Sequence, residues 1–576
     1  MKTHPSPCGR RNASALVIVM LMSAIAISIL AGTMQWTTNN ARLNQRSIEY
    51  LNALSAAEAA TEKVIAELNV DFAQLGPSTV NGKMPVYKAR VPKKTEHAAW
   101  GKYKFSNGNG AGDEVGVDLV SPWQTSPLIS QYEGLSGYAA TYRIRANAKD
   151  ESSPFALVGS VQQDIQVALV PIFQFAIFYN MDMEINPGAT MNINGRAHGN
   201  ANIYLQPNAP LTFDADVTSA GEIIFGKKPG DPTGRTASTI TFNDDHDSGV
   251  MSLNLPIGSE NTPEAVRQIV EVPPNNESPN STLGKSRFYN LADLVITVKN
   301  NGVEARGGGL GNGNGMNINW SYSGNNRPYS ISNFVKTGVS FYDQREQKTI
   351  NVVEIDIAKF NAWNALSGNN LKNALGRDIN SIYVVDQRTQ NSSSKPGIRL
   401  VNGSVLPPAG LTVATPNPLY VKGHFNASGS AVGTSDTSTT KPAALIADAI
   451  NILSGSWNDA NSTLGLGSRV ASHTTVNAAF LAGIVPTGNG AYSGGVENFP
   501  RFHENWSSKN FTYNGSMIVL YYSVFGNSKW PGTGSVYNPP NRNWSFDFNF
   551  LNPDKLPPLC PSVRAVIRGQ WSIVKG

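Results

Sequence analysis

Glu497, His503 and Glu504 lie close together near the C-terminal end of the chain. An imidazole between two carboxyls is what general acid–base work on a polysaccharide would use. Neighbouring residues on a strand face opposite ways, so His503 and Glu504 are not expected to share a site, and no residue is assigned a catalytic role. Asn243-Asp244-Asp245-His246-Asp247 gathers oxygen ligands of the kind calcium takes. It lacks the spaced D-x-D-x-D-G loop and reads first as a solvated turn, with Asp244, Asp245 and Asp247 kept as candidate ligands. Trp506, Trp530, Tyr537 and Trp544 could stack on sugar rings if they reach the surface. Gly307–Gly315 has the glycine density of a phosphate loop, but no Lys-Ser/Thr follows and no clear strand precedes it. The histidines (His4, His97, His198, His246, His424, His473, His503) form no close pair. No Ser/His/Asp order, zinc signature or dinucleotide fingerprint stands out. These residues describe a structural or binding protein rather than an enzyme, with no cofactor beyond calcium at the acidic turn.

The element that must position everything else is N-terminal. Lys2, Arg10 and Arg11 precede an uncharged stretch, Ala13 to Met34. A hydrocarbon core about 30 Å thick needs roughly 20 apolar residues as a helix, and this stretch supplies them, with Ser14, Ser23, Ser28 and Thr33 able to bond back to their own helix. Ser28-Ile29-Leu30-Ala31-Gly32 is only a weak secretory cleavage site, so the segment reads as an anchor rather than a removable signal. It runs on into Thr37–Leu68, polar and free of Gly and Pro. One long helix is expected, apolar first and amphipathic after. Basic residues before the span and mixed charges after it (Arg42, Arg46, Glu49) place the N-terminus in the cytoplasm and the bulk of the chain outside.

Ala13-Ser14-Ala15-Leu16-Val17-Ile18-Val19, the long apolar run and then Ala56-Ala57-Glu58-Ala59 resemble the N-terminus of PilX-type minor pilins of type IV pilus systems. The similarity covers about residues 8–68. It implies cleavage between Ala13 and Ser14 by a prepilin peptidase, with Ala13 standing where the family pattern has Gly. Counting from Ser14, the fifth residue is Ile18, where major pilins carry Glu. That difference implies a minor or tip-associated subunit rather than a bulk filament subunit. The resemblance also implies an inner-membrane helix whose Leu16, Val17, Ile18, Val19, Leu21, Ile25, Ile27 and Leu30 contact lipid and then other pilins. The partners are therefore other pilins, the inner-membrane assembly machinery, the peptidase and membrane lipid.

Composition agrees with an exported surface protein: 576 residues, 53 Gly, 35 Pro and 15% charged residues. The net charge of +5 includes Lys2, Arg10 and Arg11, so the rest of the chain is nearly balanced and gives no reason to invoke nucleic acid. Cys8 lies in the leader and Cys560 near the C-terminus, which leaves no internal disulfide once the leader is gone.

Beyond the helix, Tyr138–Ala146 and Val158–Val167 alternate as half-buried strands around a turn at Asp150–Pro154. From Phe173 onward, short apolar runs are broken by Asn and Gly, as in Thr190–Gly195, Ala201–Leu205, Ala215–Thr218 and Glu222–Gly226. The pattern returns at Leu419–Asn426, Ala444–Leu453, Val476–Ala482 and Gly515–Leu520. Thr262-Pro263 opens a short helix, and a strand at Thr349–Ile355 leads to a helix near Ile357–Leu366. Arg501, Glu504, Arg542 and Asp547 are expected to pair and lock aromatic loops over the end of the β region. The expected fold class is α+β, mainly β. It comprises a long pilin-like helix, a small antiparallel sheet and a large β head, a parallel β-helix in preference to a sandwich. The divisions are leader 1–13, helix 14–75, antiparallel subdomain 76–170, first β-helix-like part 171–258, α+β insertion 259–377, and second β-helix-like part with an aromatic cap 378–576. The function expected is a membrane-anchored minor subunit or assembly factor of a type IV pilus or pseudopilus. The alternatives are a tethered adhesin that binds surface glycan, or a polysaccharide-active enzyme.

Overall fold

The computed structural model describes residues 12–108, 112–309, 313–488 and 490–574. The leader to Arg11, Cys8 included, and Leu310–Asn312 of the glycine-rich loop lie outside the described residues. Helix α1, Asn12–Leu75, is continuous over 64 residues, about 96 Å at 1.5 Å per residue. It stops where Gly76 adopts φ 74°, a left-handed conformation that glycine takes without a Cβ penalty, and Pro77 follows.

The C-terminal half of α1 rests on an antiparallel sheet. Strands β1 (Tyr103–Ser106) and β2 (Gly116–Pro127) both pair with β3 (Ser136–Asp150), which pairs with β4 (Val158–Pro171). The fifth strand is C-terminal, Ser562–Ile573, antiparallel to β4. Ala57, Ala60, Val64 and Leu68, spaced by three and four, face Tyr142, Ile144, Val161, Ile165 and Val167. The small residues of this stripe let helix and sheet approach closely. A β-carbon on Gly159 of β4 would overlap Leu54 N and Ala53 C and lie 2.6 Å from Leu54 Cα. Only glycine fits there. Residues 77–102, expected as strand, are instead short helical turns, Pro77–Gly82, Met84–Lys88 and Ala98–Lys102. Pro77 and Pro85 each sit in the first turn of such a segment, where a missing N–H costs nothing. Asp71 of α1 holds this region through Lys83 (2.6 Å) and the Tyr87 hydroxyl (3.0 Å), and Glu67 holds Arg90 (2.7 Å).

The rest of the β region is inserted between β4 and the C-terminal strand. From Ile177 the chain visits three columns in rotation. Ile177–Tyr179, Ala197–Gly199, Val217–Ser219 and His246–Ser248 stack in the first. Met183–Ile185, Ile203–Leu205 and Ile223–Ile224 stack in the second, and Met191–Ile193, Leu211–Phe213 and Ile240–Phe242 in the third. All these pairs are parallel. Polar side chains bond between equivalent positions of successive turns: Asn200 Nδ2 donates to Asn180 Oδ1 (2.9 Å), Asn202 N to Asp182 Oδ1 (3.1 Å) and Gln206 N to Asn186 Oδ1 (2.7 Å).

A second run stacks Ser381–Asp386, Leu411–Ala414, Ala443–Ala447, Ala479–Ile484 and Met517–Tyr522 in the first column. Its last turn meets the first turn of the earlier run: Met517 pairs with Ile177, Ile518 with Phe178 and Val519 with Tyr179, again parallel. Spatial order therefore departs from chain order. The chain winds away from the join, crosses to the far end through the insertion, and winds back to the join. Arg267, within the crossing segment, fixes this path by donating to the buried Asp448 of the second run (2.7 Å), which also accepts from Val524 N, Phe525 N and Gly526 N. At the far end, Leu294–Lys299 continues the parallel column and then turns back as antiparallel Gly302–Gly307 and Asn317–Ile318.

Two features of the C-terminal block differ from expectation. The aromatic segment is not an end cap. Asn541–Phe546 pairs with Asn510–Gly515 in the third column, beside the join, and Phe502, Trp506, Phe511 and Tyr513 are buried core. Residues 562–573 belong to the sheet under α1. Nor do Arg501, Glu504, Arg542 and Asp547 pair with one another: Arg501 binds Glu346 (2.8 Å), Glu504 takes the Ser454 hydroxyl (2.7 Å) and Asp547 the Thr437 hydroxyl (2.8 Å). Burying a charged or polar group is costly unless it is bonded, and these partners come from other turns of the stack.

Candidate functional site

The N-terminal half of α1 is the largest apolar surface without a partner. Ala13 and Ser14 fall within the helix, their side chains outside the described residues. Leu16, Val17, Ile18, Val19, Leu21, Ile25, Ile27 and Leu30 are all exposed, and the helix stands clear of the rest of the protein from Ala15 to about Ile48. Long, apolar and near the N-terminus, it is a candidate membrane anchor. Several of its hydroxyls bond back to the helix itself: Ser28 Oγ donates to Ala24 O (2.8 Å), Thr33 Oγ1 to Leu30 O (2.9 Å) and Thr38 Oγ1 to Met34 O (2.8 Å). An uncharged helix with internally bonded hydroxyls is what a bilayer accepts. The other half is tied to the sheet by its apolar stripe and by an ion pair between Glu62 and Arg568 of the C-terminal strand.

The acid–base candidates do not form a site. His503 and Glu504 are both buried. The His503 ring contacts Asn451 Oδ1 (2.9 Å) and lies 3.5 Å from Asp343, whereas Glu504 turns to Ser454, accepting from its N (2.6 Å) and Oγ (2.7 Å). Asp343 also accepts from the Tyr420 hydroxyl (2.8 Å) and from Arg345 N (2.8 Å). This network ties different turns of the stack to one another. Asp244, Asp245 and Asp247 lie on an exposed turn at the outer end of the first run. Among the described residues no group of three or more His, Cys, Asp or Glu side chains is placed to hold a metal ion. Of the aromatics expected at the surface, Trp506 and Tyr537 are buried, with Trp506 against Phe502 and Phe511. Trp530 and Trp544 are half-buried. At the glycine-rich loop, the space a Gly307 side chain would need is filled by Gly313 O and Leu371.

Burial pushes the Glu504 carboxyl up to about 7, opposed by the Ser454 bonds and by Arg469, and it pushes Glu497 up to about 7 as well. An unfolded glutamate ionises near 4.3. The folded state therefore binds the extra protons, and the stability these groups give is complete below about pH 4.3 and lost as pH rises through about 7. Glu504→Gln, which keeps an acceptor for Ser454, is expected to flatten the fall in urea midpoint between pH 5 and pH 8. A variant curve parallel to the parent's would show that Glu504 does not titrate there.

Sequence reading misses a groove of about 490 Å³ on the third column at the join. On the first column the ladder passes through the join unbroken. On the third, Asn541–Phe546 and Met191–Ile193 have no ladder between them. Asn194 bridges them, donating to Ser545 Oγ (2.8 Å) and accepting from Phe546 N (2.7 Å). The gap widens from there into a cleft with Arg542 and Trp544 on one side, Pro187–Asn192 on the other, and Gly433–Ser435 over it.

No protein-family model matches the chain, and no curated protein matches its sequence. Among solved structures, the competence-associated pilin ComZ from Thermus thermophilus is similar over 91% of this chain and 97% of its own, at 11% identity and a TM-score of 0.29.

Proposed function

We propose that this chain is a pilin-like surface protein, anchored by α1 in the inner membrane with its N-terminus inside, and that it serves as a minor subunit or assembly factor of a type IV pilus or pseudopilus. The observation that carries this reading is the division of α1. About 50 Å of uncharged and then polar helix projects free of the protein, in one piece with a half that is docked on a sheet. A plain anchor needs only the span. A rigid helix that continues through the span into the folded part suits packing beside other such helices, first in lipid and then in a filament. The motif at Ala13–Val19 supports the same reading, with cleavage before Ser14 by a prepilin peptidase.

The large insert is read as a parallel β-helix, supported by parallel ladders in three columns and by side-chain bonds from turn to turn. It is displayed outside. An adhesive role for this head is the second reading, favoured by the groove at the join. The proposal is tested by the distribution of the full chain between membranes and mechanically sheared surface material. Recovery in both is expected, and confinement to membranes in cells that bear pili would reject incorporation.

A further inference from the structure

Three of the head's buried polar atoms without a partner belong to residues that line the groove at the join. Among the described residues Arg542 has no carboxylate at ion-pair distance. Its Nη2 donates to Asn498 Oδ1 (3.1 Å), and its buried Nε finds no acceptor. Trp544 Nε1 and Asn514 Oδ1 are also buried without partners. Buried polar atoms are ordinarily bonded, so three orphans among the residues that line one cleft point to a missing partner. The main chain adds more. Asn541 N donates toward the Asn510–Gly515 side (Lys509 O, 2.8 Å), whereas Phe546 N turns the other way, to Asn194. By the alternation of a parallel strand, the N–H and C=O groups of Arg542 and Trp544 also face the cleft.

The chemistry of the lining narrows the ligand. The exposed side chains of the lining, Asn541, Asn543 and Ser435, are neutral amides and a hydroxyl that match ring hydroxyls as both donors and acceptors. The apolar component is an indole, with Met191 and Pro187 opposite, which suits the C–H face of a pyranose. The volume is within the range of about 300–1,000 Å³ usual for small-ligand sites. One guanidinium calls for one anionic group. A nucleic acid would need a run of cations, and the cleft has only Arg542. Glu497 shares the lining but is turned to the Tyr492 hydroxyl (3.2 Å) and Asn186 N (3.4 Å).

We propose that this cleft binds a short acidic saccharide, with a uronic-acid carboxylate on Arg542 and a sugar ring against Trp544. The site lies on the head and does not depend on how α1 is processed or assembled.

The test is calorimetric titration of the full chain in detergent with trigalacturonic acid and, separately, with the neutral trimer maltotriose. The acidic trimer is expected to bind, and the neutral one to bind at least tenfold more weakly. Arg542→Met is expected to cost the acidic trimer at least tenfold in affinity and leave the neutral one little changed. Asn543→Trp, which fills the cleft from an exposed position and disturbs no buried contact, is expected to abolish binding without moving the melting temperature. It keeps the test decisive if Arg542→Met fails to fold. Equal affinity for the two trimers would overturn the carboxylate contact. Binding by neither trimer, or binding that survives Asn543→Trp, would overturn the site.

Discussion

Ile25→Asp is expected to lower the membrane-inserted fraction of the chain about a hundredfold and to remove it from sheared surface material. Ile25 sits mid-way along the apolar run and is 51% exposed, so nothing in the protein shelters it. A carboxylate at the centre of a spanning helix costs about 2.5–3.5 kcal/mol on insertion scales, and in a filament the same position would bury that charge among apolar helices. The head should be untouched, because buried helix contacts begin only at Ala53, and its melting temperature should equal the parent's. Ile48→Asp is the matched control. It is also exposed, at 59%, but lies in the polar part of the helix, and it should insert normally. Normal surface recovery of the Ile25→Asp chain, measured by immunoblot of both fractions, would count against any insertion or packing role for this face.

Gly159→Val is expected to detach α1 from its sheet. The added atoms would land on helix backbone at Ala53 and Leu54, and backbone cannot turn aside as a flexible side chain can. Either the helix rises off β4, opening the interface formed by Ala57, Val64, Leu68 and Phe72, or the strand leaves its register with Ala148. Overpacking of this kind costs about 1–3 kcal/mol, and more where neighbours cannot move. The loss should appear as faster hydrogen exchange in residues 53–72 and β4, with the stacked columns of the head unaffected. Gly338→Ala, at a glycine with nothing within 4 Å of its missing β-carbon, should be neutral. Unchanged exchange in the Gly159→Val chain would mean that the close approach of helix and strand is not what holds the helix.

The local elements were legible where local chemistry decides them. The absence of Gly and Pro from Thr37 to Leu68 favours an unbroken helix there, the alternation at Tyr138–Ala146 and Val158–Val167 dictates two strands, and Thr262 caps a helical turn as its type suggests, accepting from Ala265 N (3.3 Å). The path of the chain was not legible. Met517 lies against Ile177 although most of the head separates them in sequence, and nothing in either short apolar run names its neighbour. The first run did carry a signal. Asn180 with Asn200, Asp182 with Asn202, and Pro187 with Pro207 recur at a constant interval, which sets one turn of the stack. The longer and unequal turns of the second run hide that interval. The C-terminal strand was missed because its outer half, including the exposed Trp571 and Ile573, reads as a tail until β4 is placed beside it. The groove was invisible for a different reason: it is a gap between two strands, and Arg542 and Trp544 become a pair in a cleft only when Met191–Ile193 fails to close the ladder.

The most direct measurement is the mature N-terminus, read by mass spectrometry on protein from membranes and from sheared surface material, with and without a functional prepilin peptidase. The account predicts a chain that starts at Ser14 whenever the peptidase is present, and that reaches the surface fraction only then. An intact Met1 start in both conditions, confined to the membrane, would contradict it and leave a tethered β-rich protein outside the pilus pathway.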